Sequence, residues 1–548
     1  MQRRDLLKAG LAVPALAPAA LFPATLARPA LAQGGNQGGN PGGNPGVAPA
    51  ATRARTLRFV PQAALTVLDP IFLSATISTT HGFCVFDTLY ATDTKLRPHP
   101  QMAEGHETSE DGKRWTIRLR EGLRFHDGEP VRARDCLASL ERWASRDQFG
   151  QILRQSVAEW TAPDDRTLSI RLHRPFPALL YALAKPASVV PFIMPERIAK
   201  TPGDKPISEI VGSGPWRFLP DEFNSGSRVA YARNERYVPR AEPADGASGG
   251  KLVHFDRLEW HIIPDGATAA AALRTGEVDW VEYPLPDLIP SLKQDPKLAF
   301  QVYDPMGFLG IMRFNQLHPP FNKVEVRRAV RDLVMQPDFM ASVAAPGDWA
   351  ECHAMLPCTL PGVESHTPVA PDLESARKII RAAGVEGAKV VIINASDFAA
   401  IAPQGRLAAQ LMRQLGFDVD LIETDWASVL TRRTSKAKPG EGGWSILPTN
   451  APSGSIANPA VNFAIRGNGE KAWFGWPEDP ATEEAIDRWL YAPDAEAQSL
   501  ALRRVQEASW NSVPFAPTGI FVLQTGFRAD LSGVLQGPNP YLWNLRRS

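Results

Sequence analysis

The chain has 548 residues, with 59 basic and 59 acidic side chains, so its formal net charge is zero and its pI is about 7.2. That balance argues against nucleic acid or an anionic membrane surface as partner, because both are met by a surplus of positive charge. Hydrophobic residues are 44% and charged residues 22% of the chain, an ordinary globular composition, and the roughly 500 residues beyond the N-terminal region suffice for two or more domains with large cores.

Residues 1–32 read as an export signal. Arg3 and Arg4 stand in QRRDLLK, close to the twin-arginine pattern, an Ala- and Leu-rich run follows to Ala27, and Ala30-Leu31-Ala32 offers small side chains to a signal peptidase. Pro14, Pro18 and Pro23 interrupt the run, which falls short of the roughly 20 apolar residues a membrane span needs. The first cysteine is Cys84, so no lipid-bearing Cys stands at the cleavage site, and a soluble periplasmic protein is expected. Residues 33–50, GGNQGGNPGGNPGVAPA after Gln33, lack large apolar side chains and are expected to be a flexible linker.

In residues 115–135, Trp115, Ile117 and Leu119 alternate with Thr116, Arg118 and Arg120, the period of a half-buried strand. Asp127-Gly128 makes a turn, and Asp135 is expected to cap a helix with Leu137, Leu140 and Trp143 on one stripe. A second alternating strand covers residues 167–172, and a Pro-bounded apolar segment covers 189–195. In VGSGPWRF, residues 211–218, Gly212 and Gly214 suit either a tight turn or a close approach of backbone to ligand. Residues 255–281 read as a strand, a helix ending at Gly276 and a strand through Val278 and Trp280, a βαβ unit of the kind that builds a doubly wound sheet.

Val326, Ala329, Val330, Leu333 and Val334 mark a helical stripe, with Asn322 and Glu325 at capping-box spacing before it. Leu373, Ala376, Ile379, Ile380 and Ala383 form another, closed by Gly384 and followed by a strand at 390–393, a helix at 407–415 and a strand to Ile422. Cys352 and Cys358 flank a short loop containing Pro357. In an oxidising compartment a disulfide is expected there, worth about 2 kcal/mol in the loop-entropy model. Zinc, with His353, is the alternative, but it leaves a ligand missing. Cys84 and Cys136 read as buried thiols.

Several ordered strings together carry more than periodicity. FDTLY at 86–90, the Ser109-Glu110-Asp111-Gly112 turn, WTIRLREGLRFHDGEP, VGSGPWRF, the Asn234-Glu235-Arg236-Tyr237 stretch, and the closing VPFAPTGIFVLQTGFRADLSGV with Tyr541-Leu542-Trp543-Asn544 follow one another in this chain. In that order they resemble family 5 of the bacterial extracellular solute-binding proteins, which holds the peptide, dipeptide and nickel receptors of ATP-driven importers. The resemblance covers essentially the whole mature chain. It implies an α/β, two-lobed periplasmic-binding-protein (Venus-flytrap, type II cluster C-like) fold: lobe I at 51–310 with an extra subdomain inserted at about 96–205, lobe II at 311–510, and a return to lobe I at 511–548. It also implies a monomer holding a peptide-like or other small solute for an ABC permease and ATPase; the residues themselves show no cofactor site, and no cluster among the ten histidines supports a metal, so neither is expected.

The resemblance further suggests where that solute sits. Trp426, in ETDWASVLTRR, matches a Trp that walls the pocket of peptide-binding relatives, although a core position is the alternative. Arg432 and Arg433 on the following helix suit either a bidentate carboxylate contact or a solvated helix face. In residues 442–459, GGWSILPTNAPSGSIANP, the register of Trp444 and Asn458-Pro459 puts Asn450 where those relatives carry a Trp. Ser455 falls where they carry an Asp that pairs with the ligand's α-amino group. A buried ammonium without a counter-charge costs several kcal/mol, more than the about 1 kcal/mol of a neutral hydrogen bond. Trp426, Arg432, Trp444, Asn450 and Ser455 are therefore the candidate contacts of a neutral, blocked or anionic ligand.

Other function classes have less in their favour. The chain has no H-E-x-x-H or G-x-x-x-x-G-K-[ST], and His106-Glu107 lacks a second His. An exported hydrolase would need a site assembled from distant residues. A ligand sensor or solute chaperone of the same fold, or a metal-chelate receptor like the nickel branch, shares the same expected hinge.

Overall fold

The computed structural model describes residues 55–492 and 494–548; the expected export signal and Gly/Asn/Pro linker lie outside them. Its strands collect into two large sheets. The first has seven strands in the order Trp216–Phe218, Arg228–Arg233, Arg257–His261, Thr56–Val60, Trp280–Val281, Gln524–Arg528 and Leu298–Val302. Thr56–Val60 pairs in parallel with both Arg257–His261 and Trp280–Val281. The helix Gly266–Thr275 joins those two neighbours and ends on Gly276, whose φ of 75° is the left-handed conformation that glycine adopts without strain. This is the βαβ unit expected from residues 255–281.

The second sheet has six strands in the order Trp349–Ala350, Phe515–Phe521, Phe308–Phe314, Ile446–Pro452, Lys389–Ala395 and Asp418–Thr424. Lys389–Ala395 and Asp418–Thr424 run parallel across the helix Ala402–Gln414. The two sheets centre two lobes, and the chain crosses between them twice, at 303–307 and at 522–523. The lobe limits expected at 310/311 and 510/511 therefore need correction. Position 310 falls inside Phe308–Phe314, which is buried throughout and bonded to a strand on each side. Phe515–Phe521 still belongs to the second sheet. A strand paired along its length cannot be divided between two moving bodies.

A four-stranded antiparallel sheet, in the order Ala103–Thr108, Arg114–Leu119, Thr167–Leu172 and Val157–Thr161, forms the extra subdomain with the helices Ala133–Ala144 and Gln148–Ser156. Trp115, Ile117 and Leu119 are its buried alternation. Asp135 is not the N-cap of its helix. Arg132 holds that position, and the Asp135 carboxylate reaches back to accept from Arg132 N at 2.8 Å and from Glu196 N at 2.8 Å. Asn322 errs the other way and stands one residue too early: Lys323 caps the helix Val324–Arg331, with no side-chain cap bond.

Gly212 and Gly214 serve a close approach of chain to chain. A Cβ on Gly212 would lie 2.0 Å from Val85 O, and one on Gly214 would lie 2.6 Å from Val85 C. Buried ion pairs tie distant segments of the first lobe. Arg142 donates to Asp69 at 2.7 Å with both side chains 1% exposed, and Asp69 also accepts from Ile71 N and Ile207 N. Lys251 pairs with Asp87 at 2.8 Å. In the second lobe Cys352 and Cys358 form a disulfide, whereas Cys84 and Cys136 are free and buried.

Arg142→Met would leave the Asp69 charge buried without its partner. Urea unfolding is expected to show a loss of about 3–5 kcal/mol. Part of that loss should return in the double variant Asp69→Asn/Arg142→Met, which removes both charges.

Glu282, wholly buried, accepts from Gln62 N at 2.8 Å, and burial pushes its carboxyl from 4.5 up to about 8. The folded state thus holds a proton that the unfolded state releases. The resulting stability is complete below about pH 4.5 and is lost as pH rises through about 8. Thermal melts between those limits should show a decline that Glu282→Gln flattens.

Candidate ligand-binding cleft

A cleft separates the lobes. Its first-lobe wall comes from residues 62–63, 74–77 and 187–188; its second-lobe wall comes from 308, 398, 401, 426, 433, 449–452, 455, 463 and 473. Trp426 opens the short helix Trp426–Arg432, which Asp425 caps by accepting from Ser428 N at 2.9 Å. Trp426 N donates to Asp397 Oδ1 at 2.8 Å, and the half-buried indole packs 5.6 Å from Phe398 on the cleft wall.

Arg433, just past that helix, is the cleft's one charged lining side chain among the described residues. It is 4% exposed, and its guanidinium lies 4.4 Å from the Phe474 ring and 5.7 Å from that of Trp473. Nη2 donates across the cleft to Ser74 Oγ at 3.3 Å, and Nε has no hydrogen-bond partner among the described residues. Burial pulls Arg433 down to about 9, so it stays charged at neutral pH.

Two other buried arginines show what satisfaction looks like. Arg313 donates to the carbonyls of Phe474, Ala464, Trp473 and Pro514. Arg327 donates to those of Ser512, Val513 and Phe321. Arg433 has no such set of carbonyls and no carboxylate.

The remaining sequence candidates divide. Asn450, on the strand Ile446–Pro452 opposite Gly310, lines the cleft, and its Nδ2 is buried without a partner among the described residues. Ser455 also lines it, in the turn Ser453–Ile456, with its hydroxyl donating to Pro452 O at 2.7 Å. Arg432 is half-buried and outside the lining. Successive residues on a helix diverge by about 100°, so the cleft receives Arg433 instead.

Trp444 is fully buried behind the cleft, where its Nε1 donates to Arg433 O at 3.0 Å. It supports the arginine and does not line the pocket. Ser74, Phe463 and Trp473 also line the pocket, outside the sequence strings that point to it. Trp473 carried one usable signal, the Trp473-Phe474-Gly475-Trp476 string. Gly475 has φ 97°, and a Cβ there would lie 2.4 Å from Phe314 O, so the aromatic residues are pinned against the sheet by a position only glycine fits. Among the described residues no His, Cys, Asp or Glu cluster is placed to hold a metal, and no helix is long and apolar enough to cross a membrane.

Known proteins place this architecture. The signature of the bacterial extracellular solute-binding proteins, family 5 Middle, matches residues 97–462. The chain is 34% identical over 555 aligned residues to the probable peptide ABC transporter periplasmic-binding protein y4tO of Sinorhizobium fredii (strain NBRC 101917 / NGR234), covering 100% of both. Among solved structures, AgaA in complex with agropinic acid, from A. tumefaciens R10, superposes with a TM-score of 0.77 at 20% identity, over 90% of this chain and 99% of that one. DppA from Helicobacter pylori in complex with the peptide STSA gives 0.76 at 20% identity, over 90% and 98%. These likenesses fix the two-lobed α/β periplasmic-binding-protein fold with its extra subdomain. The family signature and the full-length relative show that the chain belongs to family 5 of the bacterial extracellular solute-binding proteins, the non-catalytic periplasmic substrate-binding components of ABC importers.

Proposed function

We propose that this protein captures a small solute that presents a carboxylate to Arg433 and carries no free α-ammonium, and that it delivers this solute as a monomer to an inner-membrane permease and ATPase. The observation that carries the reading is Arg433 itself, a buried guanidinium facing the cleft with a single hydrogen bond, to Ser74. No acidic side chain lines the cleft among the described residues, so a carboxylate would supply the missing counter-charge and could bind the guanidinium through two parallel bonds. A peptide's α-ammonium would find only the neutral Asn450 and Ser455 there and would be repelled by Arg433. The unpartnered Asn450 Nδ2 calls for a further acceptor on the ligand.

Trp426, Trp473 and Phe463 supply apolar walls for the rest of the molecule. The name of the Sinorhizobium relative points to peptides, and an N-blocked peptide falls within the proposed class. AgaA, which holds agropinic acid, illustrates that the fold also takes acids that are not peptides.

Native mass spectrometry of the protein isolated from the periplasm, followed by denaturation and identification of the released compound, tests the proposal. The expected compound bears a carboxylate and no primary α-amine; a free-amine peptide overturns the reading. Arg433→Gln should weaken binding of that compound by about 2–4 kcal/mol, read by calorimetry. Because the anion binds the charged guanidinium, wild-type affinity should be level near neutrality and fall as pH rises through about 9. Asn450→Asp should weaken the acid and improve binding of a free-amine peptide.

A further inference from the structure

A second seam joins the lobes, and it shares no lining residue with the ligand cleft. On the first-lobe side it is built from the subdomain. Arg174, just past the strand Thr167–Leu172, stacks its guanidinium 3.2 Å from the centre of the Tyr491 ring and donates to Asp487 Oδ1 at 3.3 Å. Ser156 Oγ and Tyr491 OH are 2.8 Å apart, the Phe176 ring lies 5.8 Å from that of Tyr491, and Gln148 Nε2 donates to Lys471 O at 3.2 Å.

Asp487 and Tyr491 stand on and just beyond the helix Pro480–Leu490 of the second lobe. Arg466 pins that helix by gripping the Glu483 carboxylate at 2.8 and 2.5 Å. Arg466 and Lys471 belong to the same segment as Phe463 and Trp473, which line the ligand cleft. One stretch of chain, residues 463–473, therefore touches both the ligand space and the seam.

We propose that this seam is a latch: Arg174 of the subdomain, closed on Tyr491 and Asp487, holds the lobes together, and the 463–473 segment transmits the state of the cleft wall to it. Apart from Arg466 and Glu483, which both lie in the second lobe, each of these pairs has its partners on different lobes. Opening about the crossings at 303–307 and 522–523 must separate them, while the contacts within each lobe survive. Arg174 and Asp487 are 54% and 59% exposed, so the ion pair is weak and screened by salt; the stacked guanidinium adds to it. Such a latch biases the closed form without making opening slow. It acts whichever solute the cleft takes.

Small-angle X-ray scattering of the purified protein, in which opening raises the radius of gyration, tests this. Arg174→Glu should lower the closed-to-open ratio roughly tenfold, and Asp487→Arg alone should do likewise. The double variant Arg174→Glu/Asp487→Arg restores an ion pair of reversed sense and should recover closure in part. Ser156→Ala, which deletes one hydroxyl, should shift the ratio in the same direction by a smaller factor, and thermal melts should show all four variants folded. Unchanged scattering for Arg174→Glu, or a double variant no more closed than either single one, overturns the latch.

Discussion

Arg313 holds the second lobe in the shape that both seams require. It sits on Phe308–Phe314, the strand bonded on both sides, and its wholly buried guanidinium donates to carbonyls of residues 464, 473, 474 and 514. Without those carbonyls a charge so placed would be costly. With them, it fixes a run that has little regular secondary structure of its own. That run presents Phe463 and Trp473 to the cleft and Lys471 to the opposite lobe, so one side chain braces a part of the cleft wall and one contact of the seam.

Buried cations are satisfied in two ways. In the first lobe, cations are paired with acids: Arg142 with Asp69, Lys251 with Asp87, and Lys185 with Asp147. In the second, Arg466 is paired with Glu483, while Arg313 and Arg327 are met by main-chain carbonyls. Arg433 alone among these buried cations has neither kind of partner, and it is the one that lines the cleft. On the proposed function, the one cation of this set left open faces the ligand, and specificity then lies in a charge as well as in a shape.

Elements whose signal is local were legible in the sequence. The alternation at Trp115, Ile117 and Leu119 and the βαβ unit closed by Gly276 could be read because periodicity and turn chemistry act over a few residues. The family strings carried the two-lobed architecture, yet the crossings lie between strands that look alike in either lobe, so their limits moved. Asp135 and Asn322 had the right chemistry for caps, but the helices started a residue or more away. At the cleft, Trp426, Asn450 and Ser455 were within reach because they sit in recognisable strings. Arg432 and Arg433 are equivalent in sequence, and only the helix rotation separates the two. Ser74 meets Arg433 across 359 positions of sequence, a distance over which no local pattern reports.

The two crossings also run side by side. Val302 pairs with Gln524 at the end of the first sheet, and Phe308 pairs with Phe521 at the start of the second. Between these pairs Tyr303 N still donates to Leu523 O at 2.8 Å. The lobes are thus joined by a short antiparallel ribbon. A ribbon is compliant to bending out of its plane and stiff to shear along its strands, so the relative motion of the lobes reduces to nearly one rotational coordinate. The cleft walls must then meet in the same alignment at every closure, and a ligand has to complete that alignment without having to search for it.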